Sequence, residues 1–287
     1  TVYSYGAGDD AYGVGSILEL LSQVLKYRDE WHQGVRILFT DSEENALDGM
    51  KCAAKYNPEL FENVGYVVNL ESRGMNGPVL LFETSANNEN VLDLYSEAKA
   101  PYGYSLTTVV YRFLPNNTDF TIVKDSIPGI NFSTIDNINY YHVDDDNFEN
   151  INLATIQHYG AQIEPILEEF MTSGEYRDPD ALKGDEDLVF FTVPILGIFS
   201  FTKPQFTLFC SVVFALFCLA LVLNISARNA TVKGVLKKAL VIFLSSLLVL
   251  AMGEGIAFLT AKVAGTPFNI TDTRYVMCSP VVVNVSL

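Results

Sequence analysis

The chain has 287 residues and a formal net charge of −16, yet its mean hydropathy is positive, at +0.21. Acidic and apolar residues are segregated: residues 1–187 hold 32 acids and 11 bases, and residues 188–287 hold 2 acids and 7 bases. An acidic soluble part followed by a basic, apolar tail argues against a disordered chain and against a nucleic-acid binder, whose footprint is a basic patch. Cys52, Cys210, Cys218 and Cys278 form no CxxC motif and no disulfide scaffold.

The chain opens on Thr1, very near its first motif, which reads as a fragment or as a mature form that has lost its beginning. After Gly6-Ala7-Gly8-Asp9-Asp10, the residues Val14, Ile17, Leu18, Leu21, Val24 and Leu25 recur at helical spacing and predict an amphipathic helix over roughly residues 13–26. Strands are predicted at 35–40 (VRILFT), 65–70 (GYVVNL), 79–82 (VLLF) and 127–132 (IPGINF), with helices at 46–56 and 88–98. Leu153, Ile156, Ile163, Ile166, Leu167 and Phe170 mark a closing helix containing Pro165, which predicts a kink. This alternation predicts an α/β sandwich with a mostly parallel, buried sheet. Residues 172–187 are polar, with Gly and Pro, and read as a linker.

The tail reads as membrane. Residues 206–223 carry no charge and 239–260 carry only Glu254, each close to the ~20 residues that cross a hydrocarbon core. Glu254 has no visible partner in the spans and is left unassigned. The apolar run 188–201, interrupted by Pro194, reads as a juxtamembrane or re-entrant piece. Arg228, Lys233, Lys237 and Lys238 lie between the spans without an acid, which puts that stretch in the cytoplasm and the acidic domain on the other side. The sequons at Asn116 and Asn131 fit that placement. The expected organisation is therefore a soluble domain over 1–171, a linker and juxtamembrane segment over 172–203, and a membrane region over 204–287.

In open α/β sheets the chemistry gathers at the carboxyl ends of strands. Here VRILFT runs into Asp41-Ser42-Glu43-Glu44, GYVVNL runs into Glu71, Asp9-Asp10 precede the first helix, and Tyr140-Tyr141-His142 precede the last. Capping and the helix dipole account for Asp10 and for the run Asp144-Asp145-Asp146. They account less well for Glu43 beside Glu44, because adjacent carboxylates repel unless a cation lies between them. One acid of such a pair can ligate a metal while the other moves a proton, and carboxylates with imidazole suit zinc. On spacing alone a metal hydrolase and a merely capped sheet edge stay open. His32 and His158 lie outside this set and are assigned to structure.

Four segments, GAGDDAYGVGSILELLSQVL, ILFTDSEENALDGM, VVNLESRGMNGPVLLFETS and YYHVDDDNFENI, resemble in order and spacing the zinc exopeptidases of metallopeptidase family 28. The likeness covers residues 1 to about 170. It is strongest to the membrane-embedded branch of the vacuolar membrane protease and endoplasmic reticulum metallopeptidase type.

The resemblance implies a three-layer α/β/α fold and a site of two zinc ions bridged by an aspartate. Asp9 matches the bridging ligand, Glu44 and His142 complete one zinc site, Glu71 matches a ligand of the other, and Glu43 matches the general base. Asp146, Glu149 and Asn150 match the tail of the family's final His motif, although Val143-Asp144 stand where Thr-Pro is usual. The second zinc also takes a His from a His-x-Asp motif, which is expected upstream of Thr1. As written, the chain thus carries one complete zinc site, with two expected in the full-length protein.

Arg73 could meet a substrate carboxylate or form a surface ion pair, and Asp119 matches a family position near the substrate. The implied reaction is hydrolysis of peptide substrates by a metal-activated water, in an integral membrane protein of a bacterial, vacuolar or endoplasmic reticulum membrane. The implied partners are peptides and the lipid bilayer, with no nucleic acid. A silent receptor or scaffold ectodomain and a glutaminyl-cyclase-like acyltransferase are the alternatives that the same fold supports.

Overall fold

Helix α1 (Ala11–Val24) starts where Asp10 caps it, the carboxylate accepting a hydrogen bond from Gly13 N at 3.2 Å. Its buried side, Tyr12, Ser16, Leu20 and Val24, follows the four-residue spacing of one helix face. The computed structural model describes residues 4–264 apart from 115, 228 and 229, and the chain divides into two units, Thr1–Leu208 and Phe209–Leu287. Arg228, Cys278 and the tail beyond residue 264 lie outside the described residues.

After α1 come α2 (Asp48–Tyr56), β1 (Val67–Ser72), β2 (Leu80–Thr84), α3 (Glu89–Tyr95), α4 (Ser105–Tyr111), α5 (Phe120–Val123), β3 (Gly129–Thr134) and α6 (Leu153–Thr172). The strands pair in the order β1-β3-β2, with β1 parallel to β3 and β2 antiparallel to it. The α/β class read from the sequence is the observed one, but the described sheet is mixed rather than mostly parallel. The stretch VRILFT forms no strand. Residues 33–40 are irregular, and Val35, Leu38 and Phe39 are exposed. A strand needs a neighbour to take its backbone N–H and C=O groups, and no described residue pairs with these.

The two faces of the sheet differ. Leu70, Ile130 and Phe132 point into the main core with Tyr12 and Leu20 of α1, Val91 and Leu94 of α3, and Tyr159, Ile163 and Ile166 of α6. The opposite face is polar along its middle: Asn69 of β1 stands in register with Asn131 of β3, which stands in register with Glu83 of β2. A smaller apolar cluster of Met50, Phe120, Val123 and Ile127 closes that side. Helix α6 runs unbroken through Pro165.

The stretch read as linker and juxtamembrane piece is more than a spacer. Leu182 is buried in the main core, and β4 (Leu188–Val193) and β5 (Gly197–Thr202) form an antiparallel hairpin. Phe190 is buried in the same core. The apolar run 188–201 is thus a hairpin docked on the soluble unit, because alternate side chains of β4 have a core to enter.

Helix α7 (Lys203–Ser226) follows without an intervening residue, and α8 (Val232–Ala264) comes next. Lys203–Ser226 and Val232–Ile256 are long and apolar enough to cross a membrane. Lys233, Lys237 and Lys238 lie in the first turns of α8 rather than in a loop. Of the sequons named above, Asn131 is fully buried and hydrogen-bonded, which closes it to modification, and Asn116 accepts from Arg73 through Oδ1.

Candidate active site

Four loops bring the acidic residues to one place. The first is the Gly6–Asp10 turn. The carboxylate of Asp146, itself 1% exposed, accepts from Gly8 N at 2.5 Å, from Asp9 N at 3.3 Å and from the Ser4 hydroxyl at 2.9 Å. A side chain at Gly8 would collide with Met75 Sδ and crowd the Asp146 carboxylate, so the close approach requires glycine. Asp146 therefore holds the backbone that presents Asp9.

The second loop carries Glu43 and Glu44 between Ser42, at φ 58°, and Ala46 and Leu47, both at φ 61°. Three non-glycine residues in the left-handed region make a tight turn, closed by Leu47 N donating to Glu43 O at 2.8 Å. The third is the end of β1, where Glu71 accepts from Asn69 Nδ2 at 3.1 Å. The fourth carries His142, at φ 62°, with its ring stacked on Tyr141 at 3.5 Å between centroids.

His142 Nε2 lies 2.9 Å from Asp9 Oδ2 and pairs with Glu44 Oε1. One ligand atom from each of Asp9, Glu44 and His142 lies within 4.8 Å of the others. Glu43, Glu71 and Arg73 share with Asp9 and Glu44 the wall of a cavity of about 650 Å³, whose apolar side includes Phe82, Leu106, Val110 and Leu114. Asp119 stands apart from this wall. It accepts a hydrogen bond from the Thr40 hydroxyl and lines a neighbouring cavity between α1, residues 34–40 and α6. The Arg73 guanidinium donates to Asn116 Oδ1 at 3.0 Å and lies 5.2 Å from the Tyr141 ring centre, while its Nε is buried without a partner.

The electrostatics are those of carboxylates lacking a counter-ion. Burial, then Glu44, Asp146 and Glu43, push Asp9 up to about 8. Burial, then Glu44 and Asp119, push Glu43 up to about 7. Asp10 and Glu71 also rise well above the ordinary carboxylate range, chiefly through burial. Burial lowers His142, with Glu44 acting the other way, and so favours the neutral imidazole. Among the described residues no Lys or Arg forms an ion pair with Asp9, Asp10, Glu43, Glu44 or Glu71. Two carboxylates and a neutral imidazole converging in such a place fit a zinc ion.

Sequence reasoning gave no role at the site to two contributors, Tyr141 and Asn116, and reached Asp146 only through the family resemblance, since it is one of three adjacent aspartates with nothing local to single it out. Tyr141 and Asn116 act on His142 and Arg73 from loops that have no periodicity to read.

Comparison with known proteins gives the family. An aminopeptidase structure from Aneurinibacillus sp. strain AM-1 is similar, with a TM-score of 0.44 and 20% identity over 60% of this chain and 42% of that one. Human endoplasmic reticulum metallopeptidase 1 is 31% identical over 207 residues, 70% of this chain and 22% of that protein. A vacuolar membrane protease of Paracoccidioides lutzii is 28% identical over 228 residues, 78% of this chain and 22% of that protein. The chain thus spans about a fifth of the length of these curated relatives. The sequence model of Peptidase family M28 matches residues 1–167, more than half of the chain. The chain belongs to peptidase family M28.

Proposed function

We propose that the soluble unit is the catalytic domain of a membrane-anchored, zinc-dependent exopeptidase of the aminopeptidase type. The observation that carries this reading is the convergence of Asp9, Glu44 and His142 within 4.8 Å, with Glu43 in the same cavity wall. These three would hold one zinc ion, and Asp9 and Glu71 would contribute to a second. A zinc ion bound there supplies Lewis acidity, which lowers the pKa of water from ~15.7 to roughly 7 and polarises a carbonyl.

The chain's own side chains do the rest. Glu43, held near 7, can accept a proton from the attacking water and pass it to the leaving amine without a large driving-force penalty in either direction. The apolar wall of Phe82, Leu106, Val110 and Leu114 receives a side chain of the peptide. Arg73, with an unpaired buried Nε, offers a cation to a substrate carboxylate in an otherwise acidic cavity. Asp119 acts on Glu43 through its charge.

The soluble unit belongs on the extracytoplasmic or lumenal side, because Lys233, Lys237 and Lys238 sit at the start of α8. The relatives are named as endoplasmic reticulum and vacuolar membrane proteins, in keeping with such a membrane. The decisive experiment measures zinc per chain and assays aminoacyl and dipeptide substrates with and without a chelator. Zinc-dependent release of single residues supports the reading, and chelator-insensitive turnover, or zinc without turnover in the full-length protein, overturns it. Protease added to the lumenal side of sealed vesicles should reach the soluble unit and spare residues 228–238.

A further inference from the structure

One side of the β4–β5 hairpin enters the core through Phe190, but neither the site nor the core explains its tip. The hairpin's fifteen residues, 188–202, carry no charge. Its base is fixed twice: Asp187 and Lys203, the residues flanking it, form an ion pair at 3.5 Å, and β4 is hydrogen-bonded to the soluble unit. Phe190 N donates to the Ser105 hydroxyl at 2.7 Å, and Thr192 N donates to Gly103 O at 3.0 Å.

Its tip is built against expectation for a turn in water. Hairpins turn through Asn-Gly, Asp-Gly or similar polar pairs. Here the turn is Val193-Pro194-Ile195-Leu196-Gly197, closed by Leu196 N donating to Val193 O at 3.1 Å. Ile195 takes φ 73°, an uncommon conformation for a β-branched residue, and is 105% exposed, while Leu196 is 70% exposed. Two adjacent large apolar side chains are thus held fully outward by the backbone.

Continuity of the chain identifies what they meet. β5 ends at Thr202 and α7 begins at Lys203. A 24-residue helix is about 36 Å long, against a hydrocarbon core of roughly 30 Å, so the first turn of α7 lies in the headgroup zone. Thr202 is then at the bilayer surface by covalent connection. A strand of six residues spans about 20 Å. A hairpin standing upright would place its tip that far out in water, and a hairpin lying flat would place it in the interface. The exposure of Ile195 and Leu196 favours the second.

We propose that the β4–β5 hairpin lies along the bilayer surface, with Ile195 and Leu196 seated among the acyl chains, as a second membrane contact of the soluble unit. The proposal rests on α7 being a membrane span. Because β4 bonds to the start of α4, whose Leu106 and Val110 line the cavity, this contact ties one cavity wall to the membrane surface.

The test uses the full chain in phosphatidylcholine vesicles with or without bromine on the acyl chains. Tryptophan is introduced singly by Leu196→Trp, Ile195→Trp or Phe214→Trp, the last in the middle of α7; the native chain has Trp31 alone and serves as the reference. Interfacial apolar groups sit ~5–10 Å into the acyl boundary, so brominated lipid should cut the added emission at position 196 roughly twofold. Position 214 should be quenched as well, with Trp31 emission unchanged. Quenching at 214 without quenching at 195 or 196 overturns the proposal and leaves the span intact. Absence of quenching at 214 overturns the span itself, and the proposal with it.

Discussion

Two places in this molecule bury acidic side chains, and they are built on opposite terms. On the polar face of the sheet, Glu83 is 3% exposed, yet Lys124 Nζ lies 2.5 Å from Oε1 and Asn131 Nδ2 donates to Oε2 at 3.2 Å. Around the end of β1, Asp9, Asp10, Glu43 and Glu71 are gathered with no described Lys or Arg paired to them, and all four hold their protons well above the ordinary carboxylate range. The first cluster carries its cation in the chain. The second has none among the described residues. A buried charge costs several kcal/mol unless paired, which is why the second arrangement supports the metal site proposed above.

The largest effect that can break this contrast is catalytic. If Glu43 is the general base proposed above, Glu43→Ala should lower peptide turnover by ~10²–10⁴-fold while zinc content stays at the wild-type level, because a general base is not a ligand. Activity within a few-fold of wild type, in a sample that still binds zinc, would assign the proton transfer to another group.

Next comes the paired cluster. Lys124→Ala strands Glu83 in the sheet. Breaking a buried ion pair costs 3–5 kcal/mol, and since Lys124 is 26% exposed the lower end, about 3 kcal/mol, is expected in urea unfolding. The double variant Lys124→Met with Glu83→Gln should recover most of that loss. A loss below about 1 kcal/mol in the single variant, the range of an exposed pair, would show that the two clusters do not differ in kind.

A smaller loss falls on zinc affinity. On the proposed assignment His142→Ala removes a ligand, and it should weaken zinc binding by at least the ~10–100-fold that loss of a ligand's hydrogen-bond partner costs. Asp146→Asn, which alters only the support of the Asp9 loop, should fall within that ~10–100-fold range. Equal, negligible effects of both would place the metal elsewhere.

The broadest and shallowest signature is in pH. In metal-free protein the folded state keeps protons on Asp9 up to about 8 and on Glu43 up to about 7, where the unfolded chain has released them near 4. The folded state binds more protons across that interval, so stability is fully present below the unfolded values and is lost as pH rises through the folded ones. Chelated protein should unfold at lower urea near pH 8 than near pH 5. Zinc, which needs deprotonated ligands, should narrow or reverse the difference. A chelated protein that gains stability over the same interval would show that the cluster is not short of a cation.

The sequence by itself determined the elements whose burial is periodic. The apolar faces of α1 and α6 and the two membrane-length helices follow from 3.6-residue spacing or from continuous apolar composition; α1, α6 and α7 sit within about three residues of their expected places, and α8 begins seven residues before residue 239. The clustered acids were equally legible, because Glu43 and Glu44 are adjacent charges that capping does not explain, whereas Asp10 does cap α1. The residues 35–40 have a strand's composition, but hydrogen bonding to a neighbour decides whether a strand forms, and composition does not contain the neighbour. The same holds for 188–201, where apolar character suggested lipid and the alternation of β4 found a core for Phe190. Tertiary structure alone showed that Asp146 holds the Asp9 loop, set Asp119 apart from the cavity of Arg73, and matched Glu83 with Lys124. Those distinctions depend on which side chains meet across loops far apart in the chain, and such meetings are fixed by packing, which leaves no periodic trace in the sequence.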